Sequence, residues 1–172
     1  MTILIGTATA DDIPDILASA GALVAADAGV HDAAATNLGW AAETGIAYCT
    51  SLLASRENLV LLAREGDEVV GHLAGRLSGP GSVHPIRVAD LESIHVYPAH
   101  RGRGVGEQLV RAFLAWAAES GAQRATVTAY AANEGARRFY ARHGFAMRSV
   151  VLDLDDLPRI TAAPAGPAEP GD

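Results

Sequence analysis

Residues 100–106 read HRGRGVG, and the fold turns on what this stretch is for. A strand-like run, LESIHVYP (91–98), leads into it, and an apolar helix-like run, EQLVRAFLAWAAESG (107–121), leads away. A helix N-terminus presents unpaired backbone N–H groups and a partial positive charge, which suits an anion. Gly102, Gly104 and Gly106 would let an anion rest on those N–H groups, and Arg101 and Arg103 can add charge-assisted contacts. Glycine-rich turns before helices also serve close packing, so the turn alone identifies no ligand. Two familiar phosphate motifs are excluded. A Walker-type loop needs Gly-Lys-Ser/Thr, whereas Gly104 is followed by Val105-Gly106-Glu107. A dinucleotide fingerprint needs a third glycine after Gly106 and an acid ending the next strand; Gln108 and Leu109 follow instead, and ATVTAY (125–130) ends without an acid.

The rest of the chain narrows the options. Its 172 residues suit one domain with its own core, and net charge −7 argues against nucleic-acid binding. All 13 basic residues are arginine, so no single Arg is distinctive by type. No uninterrupted apolar run reaches the length of a membrane span, and MTILIG is too short and uncharged for a signal peptide, so no membrane partner is expected. The single Cys49 cannot form an internal disulfide and fits a reducing cytoplasm, where it reads as packing. The 6 histidines show no metal-ligand spacing, so no metal is expected.

In order along the chain, TILIGTA (2–8) reads as a strand, and Asp11-Asp12 before Ile13-Pro14 as an acidic cap opening a helix to about Ala26. Residues 32–56 carry helical spacing interrupted by Gly39 and Gly45. LVLLAR and EVVGHLAGRL form a hairpin across Glu65-Gly66-Asp67, and ADLESIHVY is the next strand. After the glycine turn comes a helix stopped by Gly121, then the strand 125–130. Asn133 caps a helix to His143 with Gly144 at its end, and FAMRSVVLDL reads as a last strand. The tail from 159 to 172 lacks the apolar residues to fold, leaving 1–158 as the domain.

With the better-known phosphate motifs removed, Arg101-Gly102-Arg103-Gly104-Val105-Gly106 resembles the Gln/Arg-x-x-Gly-x-Gly/Ala pyrophosphate loop of the GNAT superfamily of N-acetyltransferases, which use acetyl-coenzyme A. A second stretch, Asn133-x-x-Ala136-x-x-Phe139-Tyr140-x-x-x-Gly144-Phe145, is similar to a downstream signature of that family. The pair in this order is far more specific than either alone, and the resemblance covers roughly residues 2–155. It implies an α/β fold with a mixed, mostly antiparallel sheet of about six or seven strands and about four helices. The fourth and fifth strands, here 89–97 and 125–130, would splay apart to admit the pantetheine arm. The backbone of Ile94, His95 and Val96 would pair with that arm. Arg101, Gly102 and the N–H groups of Arg103, Gly104, Val105 and Gly106 would hold the pyrophosphate. Asn133 would touch the coenzyme arm, and is also a good N-cap.

Acetyl transfer to an amine needs two proton steps: an alkylammonium near pKa ~10 must lose a proton, and the departing thiolate benefits from an acid. The resemblance puts Tyr140 at the sulfur as acid. It puts a carboxylate base on the fourth strand, Glu92 first and Asp90 second, with a water chain also open. Alternation by period two sets Asp90 and Glu92 on one strand face and Leu91, Ser93 and His95 on the other, and the resemblance implies that His95 lies against the helices, in the core. The acceptor pocket would draw on 27–50, with Trp40, Glu43 and Tyr48, and on 78–88, including His84. The expected activity is N-acetylation of a primary amine of a small molecule, peptide or protein; the competing reading is an inactive acyl-coenzyme A sensor. With room for one strand after Phe145, the last wall is open or completed by a second subunit in a homodimer.

Overall fold

The computed structural model describes residues 2–83 and 85–154. The tail from 159 and His84, both given a reading above, lie outside the described residues. The elements are β1 (Ile3–Thr7), α1 (Ile13–Ala26), α2 (Ala28–His31), α3 (Trp40–Glu43), α4 (Gly45–Ala54), β2 (Asn58–Glu65), β3 (Glu68–Ser78), β4 (Val88–Val96), α5 (Val105–Glu119), β5 (Arg124–Val127) and α6 (Glu134–Arg142). The strands lie in the order β1-β2-β3-β4-β5, antiparallel except for the parallel pair β4–β5 that α5 connects.

Local chemistry explains most boundaries. Gly66 takes φ +64° in the β2–β3 turn, and Gly121 takes +75° where α5 stops. The stretch 32–56 divides at its glycines into α3 and α4. A Cβ on Gly45 would come within 2.5 Å of the Leu17 side chain, so glycine lets α4 lie close against α1. The Asp12 carboxylate accepts no N–H from the helix it precedes. It accepts the Thr9 N–H at 2.7 Å, which with Arg64 keeps its pKa below the usual carboxylate range.

The sheet has five strands among the described residues, not six or seven. FAMRSVVLDL forms no strand, and Met147, Val150, Val151, Leu152 and Leu154 are exposed. Its apolar residues run together rather than alternate, so no single face can be buried against β5, which is only 4 residues long.

Each sheet face carries its own core. Leu73, Ala89 and Leu91 pack with Leu109, Val110 and Phe113 of α5, and a Cβ on Gly75 would meet the Phe113 ring at 2.6 Å. On the other face Ile16 of α1 and Cys49 and Leu52 of α4 cover Val60, Leu62 and Ala74. Ala10–His31 is long and apolar enough to cross a membrane by length and composition. It is instead bonded to the sheet, through Asp12 to Arg64 and through the buried Ser19 to His72 and His95.

The alternation expected along β4 fails at one residue. Ala74 of β3 faces Ser93 and Gly75 faces Leu91, so Glu92 is an extra residue with no partner opposite. The bulge reverses the facing of every later residue. Ala89 and Leu91 point to α5, but so do Ile94 and Val96, whereas Ser93 and His95 turn to α1. His95 is core, as expected, and its ring nitrogen shares the Ser19 hydroxyl with His72.

Burial pushes the His72 pKa from 6.5 down to about 4, with the neighbouring His95 adding to the shift. A folded-state value below the unfolded one means that the unfolded chain binds the proton first as pH falls. The contribution is therefore complete above pH ~6.5 and is lost toward pH ~4, by about 3 kcal/mol across that window. Urea midpoints measured from pH 7 to 4 should fall accordingly, and His72→Gln should flatten that slope. An equal slope in the variant would assign the acid sensitivity to other groups.

Candidate active site

The turn between β4 and α5 begins with a single 3-10 turn, Pro98–His100, after which Arg101 is extended. Gly102 and Gly104 adopt φ +73° and +78° with open space where a Cβ would stand, so backbone conformation and not crowding requires glycine there. Gly106 answers a different need: its Cβ would meet the Phe139 ring of α6 at 3.3 Å. The first turn-to-helix bond is Gln108 N–H to Gly104 at 3.1 Å; among the described residues the N–H groups of Gly102 through Glu107 donate to no backbone carbonyl. They form the row of free donors that an anion needs. The Arg103 guanidinium is not free to join them, because it holds Glu65 of β2 at 3.1 Å and lowers that carboxyl's pKa. Arg101 donates Nε to the Val96 carbonyl at 2.9 Å.

β4 and β5 pair only from Val88↔Arg124 to Leu91↔Val127, and β4 then runs on to Val96 without that neighbour. The two strands splay where expected. Tyr97 N–H bonds Val70 of β3 at 3.0 Å, so the alternation of an antiparallel ladder aims the peptide groups of Ile94 and Val96 away from β3, into the gap. His95 instead spends its peptide groups on β3, which limits the expected backbone contact to Ile94 and Val96. The cleft at the start of the splay, about 260 Å³, is lined by Asp90, Leu91, Glu92, Thr126, Val127 and Thr128. A larger hollow of about 520 Å³ lies by the loop after β3, between Ser78 and Val88, with Arg124 and Arg148. Among the described residues it is lined by no carboxylate, whereas the smaller cleft is lined by two.

The two carboxylates differ in their engagement. Asp90 accepts from Ser78 at 3.0 Å and from Thr126, using one oxygen for each, and so ties β3 to β5 beneath the splay. Glu92 meets Arg76 Nε with Oε1 at 3.1 Å and leaves Oε2 without a hydrogen bond among the described residues. Its charge, after burial, also helps to raise the pKa of the Tyr48 phenol on α4.

On α6, Asn133 Oδ1 accepts the Ala136 N–H at 2.9 Å as an N-cap, while Nδ2 donates to Asp27 at 2.8 Å. Tyr140 is buried between Phe139 and Phe145. Burial first, then the Asp27 carboxylate, push its pKa up to about 12. The turn and α6, more than thirty residues apart in sequence, are thus in contact through Gly106 and Phe139. Tyr140 is brought next to Asp27; no contact joins it to Glu92 or Asp90 among the described residues.

A family model of the acetyltransferase (GNAT) family matches residues 28–145. The chain belongs to the GNAT family. It is 28% identical over 104 residues to an uncharacterized N-acetyltransferase of Methanocaldococcus jannaschii, a match covering 60% of this chain and 46% of that protein. The chain thus spans about half the length of this curated relative. In fold it resembles an aminoglycoside acetyltransferase from an uncultured soil metagenomic sample (TM-score 0.69, 18% identity, 90% of this chain and 96% of the other). It also resembles a ribosomal-protein-alanine N-acetyltransferase of Brucella melitensis biovar Abortus (TM-score 0.65, 19% identity, 89% and 100%).

Within this GNAT fold, sequence reasoning missed Asp27, Arg76 and the pair Ser19–His72. Asp27 sits at the α1–α2 junction in no motif, and only the fold carries it to Asn133 and Tyr140. Arg76 is aligned with Asp90 in the β3–β4 register, and its approach to Glu92 depends on the bulge.

Two measurements check this geometry. Asn133→Ala should cost about 1 kcal/mol in denaturant unfolding through the lost cap, whereas Asn133→Ser should restore most of it while still lacking the Asp27 contact. The absorbance titration of wild type minus that of Tyr140→Phe should show no phenolate from Tyr140 below pH ~11, and an ordinary value near pH ~10 would overturn its burial beside Asp27.

Proposed function

We propose that the chain moves an acetyl group from acetyl-coenzyme A to a primary amine of a small molecule or peptide, by direct transfer. One observation carries the reading: the unpaired β4 edge at Ile94 and Val96 runs straight into the row of free N–H groups opening α5. An extended amide-bearing arm that ends in a pyrophosphate fits both features at once. Ile94 and Val96 would pair with the arm's amides, and Gly102 through Gly106, with Arg101 released from Val96, would hold the pyrophosphate. When bound, the coenzyme supplies an acyl group activated as a thioester.

Glu92 is the favoured base because its Oε2 has no hydrogen bond among the described residues, whereas both oxygens of Asp90 are committed to hydroxyls. Removing the ammonium proton frees the lone pair for attack. Tyr140, with a pKa of about 12, remains a phenol at neutral pH and so remains a donor. A coenzyme thiolate, whose thiol has a pKa of ~8.5, is a weaker base than that phenolate. Tyr140 therefore stabilises the leaving sulfur chiefly by a hydrogen bond. Asn133 serves as cap and positions Asp27 beside that phenol. The net charge of −7 is compatible with a cationic amine.

Calorimetric titration with acetyl-coenzyme A should show binding, and a panel of amines should release free thiol. Binding without release on any amine would favour the sensor reading; absence of binding would overturn both. Tyr140→Phe should lower kcat by about 10–100-fold with little change in coenzyme affinity. Glu92→Gln should lower kcat/KM by about 10²-fold or more, most severely at low pH where the amine is protonated.

A further inference from the structure

Two buried histidines take no part in the chemistry above, yet they form a continuous chain that ends at Ser93, beside Glu92 in the sequence. Ser93 Oγ lies 3.1 Å from His72 Nε2, His72 Nδ1 lies 2.7 Å from Ser19 Oγ, and Ser19 Oγ lies 3.0 Å from His95 Nδ1. Ser19, His72 and His95 are 0%, 1% and 4% exposed. Ser93 is the first residue beyond the bulge and the chain neighbour of Glu92, which lines the cleft. At the far end the His95 ring meets Tyr97 edge-on at 4.9 Å, at the start of the glycine turn.

Every member of this chain can both donate and accept, so its protons have two arrangements with no heavy atom moving. In the first, Ser93 donates to His72 Nε2, His72 Nδ1–H donates to Ser19, and Ser19 donates to His95 Nδ1. In the second, every bond is reversed. A network that only fastened α1 to the sheet would need neither two imidazoles joined through both nitrogens of one of them nor a terminal hydroxyl on the residue that follows Glu92. Both rings are neutral near pH 7, as such a chain requires. Burial lowers His72 with His95 beside it, and burial lowers His95 with the Arg101 guanidinium beside it. From α1 the group that bonds both rings is the Ser19 hydroxyl, from β3 the neighbour of His95 is His72, and from the turn the charge is Arg101.

We propose that Ser93, His72, Ser19 and His95 are a proton relay that removes from the cleft the proton lost by the acceptor amine. The relay rests on the transfer reading above. A proton collected at Glu92 and delivered through cleft water reaches Ser93 Oγ, and Ser93 passes its own to His72 Nε2. His72 Nδ1–H passes to Ser19 Oγ, the Ser19 proton passes to His95 Nδ1, and the His95 Nε2 proton leaves to water. One proton enters, one leaves, and no group is left charged. Once product has gone, the reverse shift into the water of the emptied cleft restores the first arrangement. These residues act through Glu92 and are positioning residues for the proton, not contacts of the amine.

Ser19→Ala and Ser93→Ala cut the chain at different links. Each should lower kcat near pH 7 by about 10-fold, with a deficit that shrinks as pH approaches the amine pKa of ~10. The wild-type rate in H2O/D2O mixtures should curve with deuterium fraction, since several protons move together, and both variants should become linear. The double variant should be no slower than the worse single one, because one broken link disables the relay. Ser93→Thr, which keeps a hydroxyl, should restore rate and curvature, and acetyl-coenzyme A affinity should hold throughout. Alanine variants with lowered melting temperatures but wild-type pH profiles and isotope curvature would overturn the relay and leave a structural network. A wild-type protein that releases no thiol with any amine would instead bring down the transfer reading, and the relay with it.

Discussion

One extra residue in β4 governs the geometry of the site. Because Glu92 has no partner across from it, the strand bends and its later residues exchange faces. Ile94 and Val96 then cover the α5 side of the core while their peptide groups face an open gap. Ser93 and His95 turn beneath α1, where hydroxyl and imidazole groups meet. Without the bulge, Ser93 and His95 would be driven into the apolar layer formed by Leu91, Val110 and Phe113, and buried imidazoles there would have no partner. Splay, cleft and buried polar chain are therefore consequences of one irregularity.

The second organising contact is between helices. Phe139 lies on Gly106, so the helix that supplies Asn133 and Tyr140 rests on the opening turn of the helix that supplies the free N–H groups. The three glycines of HRGRGVG are not equivalent. Gly102 and Gly104 set the left-handed backbone that aims the donors, and Gly106 admits an aromatic ring. A side chain at any of the three would disturb the loop, for two distinct reasons.

Features with local causes were legible in the sequence. The hairpin at Gly66, the stop at Gly121, the cap at Asn133 and the strand–turn–helix around Gly104 each follow from a few neighbouring residues. So did the splay, through the resemblance of two motifs. The bulge left no compositional mark, since Leu-Glu-Ser-Ile alternates acceptably by period two. Ser93 and His95 lie on the face opposite to Leu91 rather than on the face they were expected to share with it. FAMRSVVLDL has strong strand propensity, yet propensity supplies no neighbour to pair with, and the segment is not in the sheet. Asp27, Ser19 and His72 carry no motif at all. Their roles arise from which surfaces α1 and β3 bring together, which depends on the whole chain.

The bond from Arg101 to the Val96 carbonyl bears on the life of the protein before any coenzyme arrives. A splayed strand is an internal sheet edge, and a bare edge is a template on which a second chain can add. Arg101 covers the outermost acceptor of that edge with a charged, well-hydrated group, the same device by which exposed edge strands elsewhere resist aggregation. The arginine that would grip the pyrophosphate in the loaded state therefore guards solubility in the empty one. Its removal would be felt in the test tube as clumping as well as in loss of affinity.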